Sequence, residues 1–261
     1  YIVVSPGINI KKTRFNSILI RNKEKIITDL DLFYMQDLQV RSIMITGTNG
    51  KSTSCKLLQH VLRTNKLDAQ LGGNIGKPIL NLKIKKDSIV IIEASSFQLF
   101  HLKFVKPTFA TILNITKDHL DWHGTVKNYQ DSKFNIFSKQ DQQDYSLLGK
   151  EDHIKKFKRK LFKGKLIKIQ AGTVKKSFRR LIKNKYLLSQ PNLENISFVY
   201  KLSNIFKIKS NIFLKALNSF KGLPHRNETF YHKNGIKFIN DSKATSFEST
   251  LHALKDNKNI F

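Results

Sequence analysis

The run Gly47-Thr48-Asn49-Gly50-Lys51-Ser52-Thr53 constrains this chain more than any other feature. It follows Ser42-Ile43-Met44-Ile45-Thr46, an apolar run of the kind that forms a fully buried strand. It precedes Cys55, Leu57, Leu58, Val61 and Leu62, which recur at helical spacing. Strand, glycine loop and helix in that order make a phosphate-binding βα unit. Main-chain N–H groups of the turn, backed by a helix N-terminus, form a concave anion site. Lys51 can reach terminal phosphates, and Ser52 or Thr53 can hold Mg²⁺. The usual form of this motif has a further glycine five residues before Gly50, where this chain carries Ile45, so Gly47 opens a shorter variant. A plain strand-to-helix turn would use the same glycines for geometry alone.

Two more apolar runs end on polar residues: 88–92 at Glu93 and 109–113 at Asn114. Runs 1–4, 25–28 and 237–240 read as further short strands, and 198–220 as helical. Strands alternating with helical stretches predict an α/β fold, a parallel sheet with helices on its faces, built as a P-loop ATPase-like domain. In such sheets the chemistry sits beyond the carboxyl ends of the strands. A carboxylate there, as at Glu93, is costly unless it is paired, metal-bound or turned to water. Residues 118–123, Asp-His-Leu-Asp-Trp-His, hold two His and two Asp, which suit either a divalent ion or a helix cap by Asp118. Gly72-Gly73-Asn74-Ile75-Gly76 reads as a connector.

Composition narrows the class. Among 261 residues the single Cys55 excludes a disulfide framework and a Cys-based zinc cluster. No apolar run approaches the ~18 residues needed to span a bilayer, so the expectation is a cytoplasmic protein. The formal charge of +28 points towards nucleic acid, yet only eight of the 47 basic residues are Arg, the residue that base and phosphate recognition favours. Fourteen basic residues and no acid lie between positions 155 and 185. Interleaved apolar residues there fit a solvated surface better than a polyanion site.

These segments together resemble the Mur ligase family. The ATP loop 47–53 is shared with folylpolyglutamate synthases. The narrower match rests on Ser5-Pro6-Gly7-Ile8, Gly72-Gly73-Asn74-Ile75-Gly76, Glu93-Ala94-Ser95-Ser96-Phe97-Gln98-Leu99, Asn114-Ile115-Thr116 with Asp118-His119-Leu120-Asp121, Gly222-Leu223-Pro224-His225-Arg226 and Asn240-Asp241-Ser242-Lys243-Ala244-Thr245. The Ser-Ser-Phe-Gln-Leu and Leu-Pro-His-Arg runs are closest to the branch that adds D-glutamate.

The resemblance implies an ATP-dependent amide ligase of peptidoglycan precursor biosynthesis, joining D-glutamate to UDP-N-acetylmuramoyl-L-alanine through an acyl phosphate. It implies residues 1–30 as the end of a UDP-binding domain, 31–222 as the central ATP-binding domain, and 223–261 as the start of a C-terminal Rossmann-like domain. Such a piece alone is expected to be inactive. By the same resemblance Lys51, Glu93, His119 and Lys133 are catalytic. Gly47 to Thr53, Asn195, Arg226 and Asp241 hold ATP. Asn74, Ser95, His119, Lys243 and Thr245 serve the substrates. Two Mg²⁺ ions use Ser52, Glu93, His119 and Lys133, the last as a carbamate, in Tyr129-Gln130-Asp131-Ser132-Lys133. The family's His-Asn pair before the adenine-side asparagine is replaced by Pro191-Asn192 ahead of Asn195. The partners implied are small molecules, without nucleic acid or membrane, acting on a monomer. Two rival readings are a folate-directed ligase, against which residues 95–99 and 223–226 speak, and a nucleic-acid-binding protein with an incidental nucleotide loop.

Overall fold

The computed structural model describes residues 1–149, 162–170, 173–244, 250–251 and 254. At the N-terminus β1 (Ile2–Val3) pairs in parallel with β2 (Ile26–Ile27) around α1 (Asn16–Arg21), with Val4, Ile10, Leu19 and Ile26 closing a small core. Thr28 then caps α2 (Asp29–Tyr34) by a capping box, its N–H donating to the Asp31 carboxylate at 3.1 Å. The other Asp31 oxygen accepts the N–H groups of Lys103 and Phe104. This helix crosses the boundary expected after residue 30, and its Leu30 and Phe33 pack with Met44, Val90 and Ile92 of the central unit.

The central unit is one all-parallel sheet. Its strands are β3 (Arg41–Thr46), β4 (Ala69–Gly73), β5 (Ile89–Glu93), β6 (Phe109–Ile112), β7 (Tyr145–Leu148) and β8 (Lys165–Lys168), in spatial order β4-β5-β3-β6-β7-β8. Alternation along the strands divides the core in two. Ile43, Ile45, Ile89 and Ile91 face α3 (Lys51–Thr64) and the later α8 and α9, whereas Met44, Val90 and Ile92 face α2 and the helices that follow β5 and β6. Those are α4 (Ser96–Phe100), α5 (Leu120–His123) and α6 (Val126–Phe134). Further along come α7 (Lys176–Arg179), α8 (Gln190–Ile205) and α9 (Ser210–Ser219). Helices on both faces require strands apolar on both sides, which is why the strands read as continuous apolar runs.

Four strands were not legible as such. The glycine-rich connector is in fact the end of an edge strand: Gly72 and Gly73 pair with Ile92 and Glu93. Gly73 is at φ +96°, and a Cβ there would lie 2.4 Å from the Glu93 carbonyl, so glycine marks close backbone approach. β7, the Lys-flanked β8 and β9 (Glu228–Lys233) are likewise strands, and β9 forms a hairpin with β10 (Ile236–Asn240) across Asn234-Gly235. Both turn residues have positive φ, the geometry Asn-Gly favours in two-residue hairpins. Among the described residues no helix is long and apolar enough to cross a membrane.

Candidate active site

β3 lies between β5 and β6, and the chain leaves these strands towards opposite faces, so their carboxyl ends open a crevice of the kind where α/β sheets bind ligands. Ile45 pairs with Glu93 and with Thr111 inside the sheet, which explains the missing first glycine: that position is still strand, and the loop starts at Gly47. Asn114, one residue beyond Leu113 at the end of β6, clamps the loop from the side. Its Oδ1 accepts the Asn49 N–H at 2.8 Å, its Nδ2 donates to the Asn49 carbonyl at 3.1 Å, and its own carbonyl accepts the Thr48 N–H. The Thr48 hydroxyl lies 2.9 Å from the Tyr129 hydroxyl and accepts the Thr116 N–H.

Gly50 caps α3 at φ +82°. The first intrahelical bond runs from Ser54 N–H to the Gly50 carbonyl, so the N–H groups of Lys51, Ser52 and Thr53 have no helical acceptor and form the anion-binding end. The Asn195 side chain, on α8, lies directly over Gly50, and Asn192 one turn earlier accepts its amide at 3.3 Å. Asn192 itself donates to the Tyr186 carbonyl. Thus Asn195 reaches the loop with Asn192 as its support, although the expected histidine is absent.

Two lysines converge on one carbonyl. Lys51 Nζ donates to the Gly47 and Thr48 carbonyls at 2.9 and 2.7 Å, and Lys133 Nζ to the Gly47 carbonyl at 2.9 Å. Lys133 is 1% exposed, sits 4.7 Å above the Tyr129 ring, and has no carboxylate partner among the described residues. Burial, with the Lys51 charge second, pushes its amine well below the ordinary lysine value. Burial also lowers Lys51, against the opposing attraction of Glu93, while Arg226 adds to the lowering. Glu93 is 1% exposed: Asn74 Nδ2 donates to Oε1 at 2.9 Å, and Oε2 is buried with no hydrogen-bond partner. A buried carboxylate oxygen left unmatched is expensive and calls for a cation.

Ser52 and Thr53 both lie buried in the first turn of α3, and burial raises the nearby Tyr186 phenol, opposed by the Thr53 side chain. Tyr186 also senses Arg226 and Asp241 electrostatically. Asp241 Oδ1 accepts the Asn227 N–H at 3.0 Å, and Lys243 is tied by its N–H to the His225 carbonyl. His225 and Asn227 both have positive φ, so Arg226 stands at the tip of a sharp, internally bonded turn. Thr245 lies outside the described residues.

The two histidines of residues 118–123 part company. His119 opens α5 in a left-handed conformation, exposed, 3.5 Å from Asp118 and 4.9 Å from the Phe97 ring. His123 is buried against Ser96, and burial, followed by the Lys133 charge, pushes it down to about 4. The Ser95 hydroxyl is spent as the N-cap of α4, accepting the Gln98 N–H. Among the described residues no three His, Cys, Asp or Glu side chains gather into a metal cluster. The set that the family resemblance implies for Mg²⁺ is Glu93, Ser52, His119 and a carboxylated Lys133. The orphaned Glu93 oxygen, and a lysine whose amine burial pushes well below its ordinary value, fit that donor set, since Mg²⁺ takes oxygen ligands. The sequence alone attaches no role to Asn114, Tyr129, Asn192 or Tyr186, although the first three lie in segments quoted for the resemblance and Asn114 follows an apolar strand run.

The fold and site define a nucleotide-loop α/β protein with an acidic strand end and a buried lysine, and the sequence profile of the Mur ligase middle domain matches residues 45–217. The chain belongs to the Mur ligase family. Its relatives include the UDP-N-acetylmuramoylalanine–D-glutamate ligase of Rickettsia felis, 34% identical over 281 residues, covering 100% of this chain and 62% of that protein. The enzyme of the same name from Rickettsia prowazekii is 36% identical over 254 residues, covering 90% and 57%. The chain spans about three fifths of the length of these relatives. Of solved structures, MurF from Acinetobacter baumannii superposes with TM-score 0.67 at 17% identity, covering 88% of this chain and 57% of that one. MurF ligase from Thermotoga maritima in complex with ADP gives 0.66 at 16% identity, covering 92% and 68%. At those identities the structures speak for the fold.

Proposed function

We propose that this chain carries the phosphoryl-transfer centre of an amide ligase that joins D-glutamate to UDP-N-acetylmuramoyl-L-alanine at the expense of ATP. The observation that carries the reading is the meeting of Lys51 and Lys133 on the Gly47 carbonyl beside a buried Glu93 with one unpartnered oxygen. The names of the relatives supply the substrates. The domain plan follows: 1–30 closes a UDP-binding domain, 31–222 is the ATP domain, and 223–261 opens the glutamate-side domain. We read the enzyme as a cytoplasmic monomer working on small molecules, with neither nucleic acid nor membrane as partner.

The physical difficulty is bringing an anionic carboxylate against an anionic γ-phosphate. The free N–H groups at the start of α3 and the Lys51 ammonium take the phosphate charge, and Asn195 and Arg226 hold the nucleotide. Asn74 contacts the sugar-nucleotide, while Lys243 and Thr245 serve the incoming D-glutamate and the acyl phosphate. The substrate carboxylate oxygen attacks the γ-phosphorus, ADP leaves, and an acyl phosphate results. The D-glutamate amine then forms the amide C–N bond, loses its proton, and expels phosphate. Burial pushes the Lys133 amine down, which favours the neutral form whose free electron pair adds to CO₂, releasing a proton and leaving a carbamate anion. Glu93, Ser52, His119 and that carbamate would hold two Mg²⁺ ions, which would supply positive charge to offset the negative charge of the reacting groups.

The test is phosphate release by the full-length protein. Release should require ATP, UDP-N-acetylmuramoyl-L-alanine and D-glutamate together. Release with a folate in place of the sugar-nucleotide, or none with all three present, overturns the reading.

A further inference from the structure

Besides Ser52 on α3, the residues assigned to the divalent cation come from three different elements. Glu93 ends β5 just ahead of α4, His119 opens α5, and Lys133 lies in α6. Those elements meet at a side chain that the chemistry above leaves unused. His123 is 5% exposed, and its Nε2 is 3.0 Å from the hydroxyl of Ser96, the first residue of α4. Its ring stacks on Phe97 with centroids 5.6 Å apart and planes 6° apart. Its N–H donates to the His119 carbonyl at 3.0 Å, closing the single turn of α5. Its carbonyl accepts the Asn128 side-chain amide at 3.0 Å, and its ring lies 5.3 Å from that of Tyr129, one turn before Lys133.

A four-residue helix has no stability of its own, and α5 begins at a left-handed His119 with φ +49°. Something must hold it. His123 Nδ1 is buried without a partner, and a buried bare acceptor is tolerated more readily than a buried bare N–H. The proton therefore belongs on Nε2, donated to Ser96 Oγ.

We propose that His123 is a positioning residue that ties α4, α5 and α6 together and thereby fixes Glu93, His119 and Lys133 relative to one another. The inference rests on the cation-site reading under the proposed function. It concerns a residue that binds neither metal nor substrate.

The experiment uses the full-length protein and three variants: His123→Phe, which keeps a stacking ring but removes the donor; His123→Gln, which returns an N–H donor near the Nε2 position; and Ser96→Ala. Mn²⁺ binding without nucleotide is followed by water-proton relaxation. The Lys133 carbamate is followed by its ¹³C signal in labelled bicarbonate, ADP binding without metal by titration, and folding by thermal melting. His123→Phe should weaken Mn²⁺ binding about tenfold or more and diminish the carbamate signal, as loss of supporting contacts behind metal ligands does. ADP binding should hold within about twofold, and His123→Gln should recover most of the Mn²⁺ affinity. Adding Ser96→Ala to His123→Phe should cost little further, because both remove one interaction. Wild-type Mn²⁺ binding and carbamate signal in His123→Phe overturn the proposal. A parallel loss of Mn²⁺ and ADP binding without recovery in His123→Gln also overturns it, leaving His123 a general core residue. If the wild-type protein shows neither Mn²⁺ binding nor a carbamate, the cation-site reading itself falls, and this inference with it.

Discussion

Replacing Gly50 by alanine tests the loop geometry most directly. Gly50 sits at φ +82°, where an L side chain costs ~1–2 kcal/mol. Its new methyl would also lie 2.3 Å from Asn195 Oδ1 and 3.0 Å from Asn195 Nδ2. That overlap has to be relieved by moving a buried asparagine that is 4% exposed and bonded to Asn192. Overpacking of this kind costs ~1–3 kcal/mol. The two effects together amount to about 2–5 kcal/mol, which for a chain of this size lowers Tm by roughly 5–15 °C. Urea denaturation and thermal melting measure it, and ADP titration should show weakened binding because Asn195 is displaced from the loop. Coupling separates the two causes: in the Asn195→Ala background the same substitution should cost ~1–3 kcal/mol less, since only the backbone strain remains. A Gly50→Ala protein within about 1 kcal/mol of its parent, or no coupling to Asn195, would refute the close approach of α8 to the loop.

Lys51→Ala should slow phosphate release by at least about a hundredfold through loss of a charge on the phosphates; a parent-like rate removes Lys51 from the mechanism. Lys133→Met, in bicarbonate-free buffer, should be inactive yet more stable at pH 7. The native state holds this amine less protonated than the unfolded chain does, so parent stability climbs with pH towards the ordinary lysine value near 10.4, and the variant should lose that slope. The Gly47 carbonyl keeps its bond from Lys51 in that variant, and a less stable protein would contradict the account. His101 and His123, each held down to about 4 by burial, bind a proton in the unfolded chain near pH 6.5. Stability should therefore fall as pH drops from about 6.5 through about 4, and the double Phe variant should flatten that fall in urea titrations at several pH values. An unaltered pH profile would show that these rings do not titrate with unfolding.

The loop and its three adjoining strands were legible because each strand is buried on both faces and so reads as an unbroken apolar run ending on a polar residue. β4 was hidden by its own glycines. Gly72 and Gly73 look like a turn, but they are required by the approach of the Lys77 and Glu93 carbonyls. β8 was hidden by Lys165 and Lys168 at its ends, charges that suit the edge of a sheet. Asn234-Gly235 marks the hairpin turn, but the strands it joins are largely exposed and so lack an apolar run. Lys133 shows why a site can escape pattern reading. Asp131 and Ser132 precede it on a helix with little apolar bias, and only the family resemblance singled it out. Its chemical distinction, burial without a counter-charge, exists only in three dimensions.

The lateral pairing of β3, β5 and β4 has a consequence for how this centre can vary among related chains. Ile45, Glu93 and Gly73 stand abreast in one row of the sheet, although about 20 to 50 positions separate them along the chain. Lengthening or shortening the connectors outside the loop 47–53, α3 and residues 74–76 leaves that row intact, so insertions there should be tolerated. Deleting one residue from the middle of β5 would turn Glu93 through to the opposite layer of helices, away from Lys51. Divergence should therefore accumulate as changes of length in the connectors, while the count of residues inside these three strands stays invariant.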